Sequence, residues 1–202
     1  MKKKVVLALI AGLWLLLIAV GVRTLMRYEH TSGDPGNPPA TWPSQSQIQR
    51  SAGLPALVML VHPQCACSRA SIGELEMLMT RAQGRVKTYV LFLKPVGFPG
   101  SWETTDLWDS AARIPGVTVL RDDDGKEATI FHAATSGQTM LYSADGQLLF
   151  SGGITGSRGH LGDNDGYDSI LSLIGQGAPE ETRTKVFGCP LHDSGPRSKH
   201  QE

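Results

Sequence analysis

The sequence predicts an α/β protein, a mixed sheet with helices on both faces, preceded by one N-terminal transmembrane helix. Three observations carry that expectation. An uncharged run of 18 residues follows three lysines at the start, apolar strand-like and helix-like segments alternate from about residue 54, and an Asp-Gly pair late in the chain sits between two apolar stretches. Apolar residues make up 41% of the 202 and charged residues 19%, enough for one domain with its own core and too apolar for wholesale disorder.

Residues 5–22, VVLALIAGLWLLLIAVGV, carry no charge. As a helix they extend about 27 Å, close to the thickness of a hydrocarbon core. Lys2, Lys3 and Lys4 precede the run, so that end stays in the cytoplasm and the rest of the chain goes outward. A cleaved signal peptide starts similarly, but this apolar region is long for one and no A-x-A site follows, which favours an uncleaved anchor. Residues 1–27 are therefore the cytoplasmic tip and anchor. They hold five basic residues and no acid, which leaves 14 basic against 19 acidic residues beyond them, a formal charge of −5. That balance offers no basic stripe and excludes nucleic acid as the default partner.

Residues 28–47 are rich in Pro, Gly, Ser and Gln and read as a flexible linker. The folded domain is expected over 48–177. LPALVMLVH (54–62) is a buried strand, and 68–83 places Ile72, Leu75, Leu78, Met79 and Ala82 at helical spacing with Gly84 closing it. VKTYVLFL (86–93) is a second strand ended by Pro95. SWETTDLWDSAARIPG (101–116) has a serine cap, early acids and a Pro-Gly stop, so it reads as a helix carrying Trp102 and Trp108. GVTVLRD (116–122) is a third strand, and 122–134 is a turn, with Asp122 to Asp124 as turn and cap residues, feeding a short helix. The segment 138–153 is a hairpin around Asp145-Gly146, 167–177 is the last helix, and 178–202 is a tail carrying Cys189. Alternation followed by a hairpin gives the mixed sheet.

The candidate chemistry lies at the first strand–helix junction, HPQCACSRASIGEL. The carboxyl end of a strand facing a helix N-terminus is where open α/β sheets build sites. Cys65 and Cys67 fall there, and the positive end of the helix dipole lowers a thiol pKa and makes the sulfur nucleophilic. His62 completes H-x-x-C-x-C, and two thiolates with an imidazole also suit Cu(I). The loop GGITGSRGHLGDNDG (152–166) lacks a P-loop lysine and a calcium ligand pattern, so it reads as a frame around the cysteines, with Arg158 and His160 as contributors.

On the columns C-A-C-S-R-A-S-I-G-E-L the chain resembles the thioredoxin superfamily, in particular its membrane-anchored thioredoxin-like branch, over about residues 50–177. The strings HPQCACSRAS, TSGQTMLY, GGITGSRGH and FGCPL resemble the bacterial RedB-type group. The resemblance implies a thioredoxin-like fold, Cys65 as the attacking cysteine, and a bacterial inner-membrane protein, single-pass, with its C-terminal domain in the periplasm or outside the cell. Four departures accompany it. Ser68 replaces the usual resolving cysteine while Cys67 adds a thiol one residue earlier; Met59 replaces a buried acid; Gly137 stands nearest the cis-proline column; and Cys189 lies beyond the domain.

Two functions follow. One is a thiol–disulfide oxidoreductase, without a cofactor, in which Cys65 attacks and Cys67 or Cys189 resolves; its partner is another extracytoplasmic thiol/disulfide protein or a membrane electron donor. The alternative is a copper-binding or copper-delivery protein using His62, Cys65 and Cys67.

The charge flank makes a test of orientation direct. A reporter fused after residue 202 is expected to be active only if it works outside the cytoplasm, and strong activity of a cytoplasm-only reporter would overturn the orientation.

Overall fold

The structure is a computed structural model and describes residues 2–82, 84–98 and 100–191. Gln83, at the end of a predicted helix, and residues 192–202 of the expected tail lie outside the described residues. The chain divides into two units, one ending at Thr31 and one beginning at Ser32. The first is a single helix, α1 (Lys2–Glu29), with no buried residue and long and apolar enough to cross a membrane.

The second unit holds the strands β1 (Ala56–Val61), β2 (Lys87–Lys94), β3 (Val117–Asp123), β4 (Gln138–Tyr142) and β5 (Leu148–Gly152). Its helices are α2 (Ser68–Ala82), α3 (Asp106–Ala112), α4 (Lys126–Ile130) and α5 (Asp165–Ile174). The sheet order is β3-β2-β1-β4-β5. The first three strands are parallel, and β4 and β5 are antiparallel additions. This is the mixed sheet with helices on both faces that the sequence predicts.

β1 is central and apolar throughout because both of its faces are covered. Leu57, Met59 and Val61 point to the layer formed by α2, α3 and α5. Val58 and Leu60 point to the opposite layer, where Phe131, Tyr142, Ile48 and Leu191 meet. On that side the five-residue α4 is the sole helix among the described residues, and chain from outside the predicted domain completes the cover. Asp122 fixes α4 by accepting from the backbone N–H groups of Glu127 and Ala128 at 2.8 and 3.0 Å.

Three expectations change. The helix predicted over 101–116 is shorter, Asp106–Ala112. Glu103, expected in its first turn, instead forms a buried ion pair with Lys94 at 3.0 Å, and Thr105 donates its hydroxyl to the Pro63 carbonyl at 3.1 Å. Trp102 therefore precedes the helix, while Trp108 is on it and packs against Phe92. Secondly, the expected flexible linker is laid down on the domain from residue 33 onward. Ala40 accepts from Leu148 N–H at 2.8 Å, Trp42 N–H donates to Gly146 at 2.7 Å, and the Trp42 ring meets Phe131 and Tyr142 edge-on, both at 5.2 Å. Ser46 and the Gln47 N–H then hold the Glu127 carboxylate. Thirdly, the tail does not leave the domain after α5: residues 182–186 run beside β5, and Val186, Phe187 and Leu191 are buried.

Trp42 reports on the linker. Trp42→Ala is expected to lower the unfolding free energy by about 2 kcal/mol, below the value for a fully buried tryptophan because the ring is half-buried. Urea unfolding measures it, and an unchanged midpoint would mean that the linker contributes no packing.

Candidate functional site

The peptide between β1 and α2 winds into the helix through tight three-residue turns: Cys65 N–H donates to His62, Ser68 to Cys65, Arg69 to Ala66 and Ala70 to Cys67. This puts Cys65 at the entrance of α2, with its sulfur inward and 0% of the residue exposed. Cys67, two residues on, is half-buried. All three cysteines are free thiols.

Three segments far apart in sequence converge on Cys65. The first is α2, whose Ser68 is buried and shares a 2.6 Å hydrogen bond with Ser136. The second is the loop before β4, where Ser136 Oγ also accepts from the His62 N–H at 2.7 Å. Gly137 follows with φ of +87°, its N–H donating to Leu60 at 2.7 Å. A proline, locked near −65°, does not fit that conformation, which accounts for the glycine in the cis-proline column. The third segment is the tail. Cys189 N–H points at Cys65 Sγ from 3.3 Å, and its carbonyl accepts from Ser136 N–H at 2.8 Å. Leu191 N–H donates to Ala134 at 2.9 Å, so residues 189–191 pair with 134–136 as a short antiparallel bridge.

Burial alone would push the Cys65 thiol up, but hydrogen bonds outweigh it and its pKa lies below the ordinary value. The donors are the Ser68 side chain, the Cys189 thiol, and the backbone N–H groups of Cys189 and Ser68. Cys189 moves the opposite way, pushed up to about 12. Burial is the largest cause, followed by its hydrogen bond to Cys65 and the charges of Cys65 and Cys67, with Arg158 opposing. The two shifts run in opposite directions: the contacts favour the thiolate form at Cys65 and the thiol form at Cys189, which donates to it, an arrangement suited to nucleophilic attack by Cys65.

The remaining predicted residues separate. Arg158 donates to the Gly188 carbonyl at 2.9 Å and so braces the residue before Cys189. His160 is exposed on the same loop. His62 turns its ring against Trp102, 5.4 Å between centroids, and its Nδ1 accepts from the Gln64 N–H. Among the described residues no group of three or more His, Cys, Asp or Glu side chains is gathered as for a metal ion. Met59 is fully buried in the core. Sequence reasoning passed over Ser136 and Gly188. Both lie inside the strings TSGQTMLY and FGCPL, yet nothing in those strings shows that they touch each other.

No family model matches the chain, and no curated protein matches it. Solved structures do. An uncharacterized conserved protein from Geobacillus kaustophilus superposes with a TM-score of 0.58 at 16% identity, covering 80% of this chain and 92% of its own. A hypothetical protein from Sinorhizobium meliloti 1021 gives 0.56 at 16% identity, over 68% and 78%. A secreted Mycobacterium tuberculosis disulfide oxidoreductase homologous to E. coli DsbE gives 0.44 at 15% identity, over 62% and 83%. At these identities the likeness is one of fold.

Ser68 tests the electrostatics. Ser68→Ala removes a donor to the Cys65 thiolate, so the midpoint of thiolate formation, followed by ultraviolet absorbance against pH, is expected to move up from its depressed position. A midpoint that stays in place would mean that Ser68 does not stabilise the anion.

Proposed function

We propose that the chain is a membrane-anchored, extracytoplasmic thiol–disulfide oxidoreductase of the RedB-like kind, in which Cys65 of the C-x-C motif attacks and Cys189 resolves. The observation that carries this reading is the contact of Cys189 with the Cys65 sulfur, through both its N–H and its thiol. The Cys65 thiolate attacks one sulfur of a partner disulfide; a Cys65–partner bond forms and the other partner sulfur leaves with the electron pair. Cys189 then gives up its proton and attacks Cys65, which forms a Cys65 to Cys189 disulfide and releases the partner sulfur as a thiol. The same steps run backwards when the protein donates its disulfide.

The electrostatics put these steps in order. While Cys65 is an anion, its charge and its demand for a hydrogen bond hold the proton on Cys189. Once Cys65 is tied up in the mixed disulfide both effects disappear, and Cys189 ionises more readily at the moment it is needed. Cys67 is the less suitable resolver, because closing a disulfide across a single intervening residue strains the bond. Supporting the anchored location are the exposed 28-residue α1 and the lysines at its start; the domain then lies in the periplasm or outside a bacterial cell, and its partner is an extracytoplasmic thiol or disulfide protein or a membrane electron donor.

Cysteine substitutions test the assignment. Cys65→Ser is expected to reduce disulfide exchange to the uncatalysed rate, Cys189→Ser to accumulate a mixed disulfide with the partner, and Cys67→Ser to keep turning over. Proteolysis and mass spectrometry of the oxidised protein should recover Cys65 linked to Cys189. Recovery of Cys65 linked only to Cys67, with Cys189 alkylated, would remove Cys189 from the cycle.

A further inference from the structure

A nucleophile that attacks a protein disulfide must be reachable in line with the S–S bond, yet Cys65 in the reduced protein has 0% exposure. What closes it on the side of the loop before β4 is the tail. We infer that residues 186–191 form a built-in cap over Cys65, and that the reduced protein exchanges disulfides only after this segment lifts. The inference rests on the reading of Cys65 as the attacking sulfur and adds to it a gate carried by the chain itself.

The seat under the cap is made for backbone. A Cβ on Gly188 would collide with the Ser136 carbonyl oxygen, and one on Gly153 would come within 2.6 Å of the Lys185 carbonyl oxygen. With glycine at both places the segment lies flat and is held by backbone bonds: Ser136 N–H to Cys189, Leu191 N–H to Ala134, Gly153 N–H to Lys185 and Gly33 N–H to Val186, between 2.8 and 3.2 Å. The Arg158 guanidinium holds the Gly188 carbonyl from the other side. Phe187 and Leu191 are the apolar anchors, 5% and 3% exposed, while Pro190 between them is exposed and Cys189 half-buried. Three buried side chains, Val186, Phe187 and Leu191, and a few backbone bonds make a local unit that opens at far less cost than the sheet. Closing again brings Cys189 back onto Cys65, so the movement that shuts the site is the one that delivers the resolving thiol.

The test is the rate at which iodoacetamide labels Cys65 in the reduced full-length protein, read peptide by peptide by mass spectrometry with Cys67 as the internal reference and corrected for thiolate fraction. In the native chain Cys65 is expected to label more slowly than Cys67. Gly188→Val cannot seat the segment, and Arg158→Gln weakens it. Loss of about 1.4 kcal/mol of seating shifts the opening equilibrium about tenfold, so Cys65 labelling should rise by at least about that factor in Gly188→Val while Cys67 is unchanged. If Gly188→Val loses its circular dichroism signature, Arg158→Gln carries the comparison, with a smaller rise expected. Native Cys65 labelling as fast as Cys67, or a folded variant whose Cys65 rate stays at the native value, would overturn the cap. Labelling needs no exchange partner, so a protein with tail-gated labelling and no exchange activity would fail as an oxidoreductase while the cap stood, and ungated labelling with full exchange would give the reverse.

Discussion

The hydrogen bond from the Cys189 N–H to the Cys65 sulfur joins residues 124 positions apart and, with the Cys189 thiol and Ser68, lowers the Cys65 pKa against its burial. An anion with no exposed surface is costly unless donors replace the water it has lost. Ser68 supplies some of them from the start of α2, but the rest come from a segment that the topology of the sheet does not require. The glycines that admit the tail, the serine loop that pairs with it and the arginine that grips it all serve to bring one residue to one sulfur.

The lower side of the site has its own fixed point. Lys94 at the end of β2 and Glu103 form an ion pair with both side chains under 10% exposed, and Arg121 approaches the same carboxylate at 3.9 Å. Charges so placed are costly to separate, so the loop between β2 and α3 is tied to the sheet edge. That loop carries Phe98 and Trp102, whose rings meet at a tilt with centroids 4.8 Å apart, and Trp102 packs edge-on against the His62 ring. The imidazole that the H-x-x-C-x-C spacing offers as a metal ligand is thereby drawn to an aromatic neighbour.

Much of the fold was legible because it rests on side-chain patterns. The apolar run of β1, the helical spacing in α2 and the Asp145-Gly146 turn each announce one element, and the order of elements follows. Where reading failed, backbone was doing what side chains usually do. Residues 33–47 look like a tether because they lack large aliphatics, but they attach through carbonyls, prolines and the single ring of Trp42. The tail looks polar for the same reason, its path being set by Gly152, Gly153 and Gly188, where the absence of a side chain is the signal. Composition counts what a segment can bury and is blind to how closely two main chains can approach. The shortened α3 is a separate lesson: Glu103 has the character of a first-turn acid, and only the distant Lys94 shows why it is used elsewhere.

The two chain segments that flank the sheet meet at Gly33, whose N–H binds Val186, and at Thr135, whose hydroxyl donates to Asp34. These are the first contacts the linker makes after residue 32, ahead of any with the core strands. Tension along the linker is therefore applied to the tail and to the loop beneath it before it reaches the sheet. The tether thus joins the domain at the same two places that bring Cys189 to Cys65, so the anchor end and the cysteine site share one point of attachment.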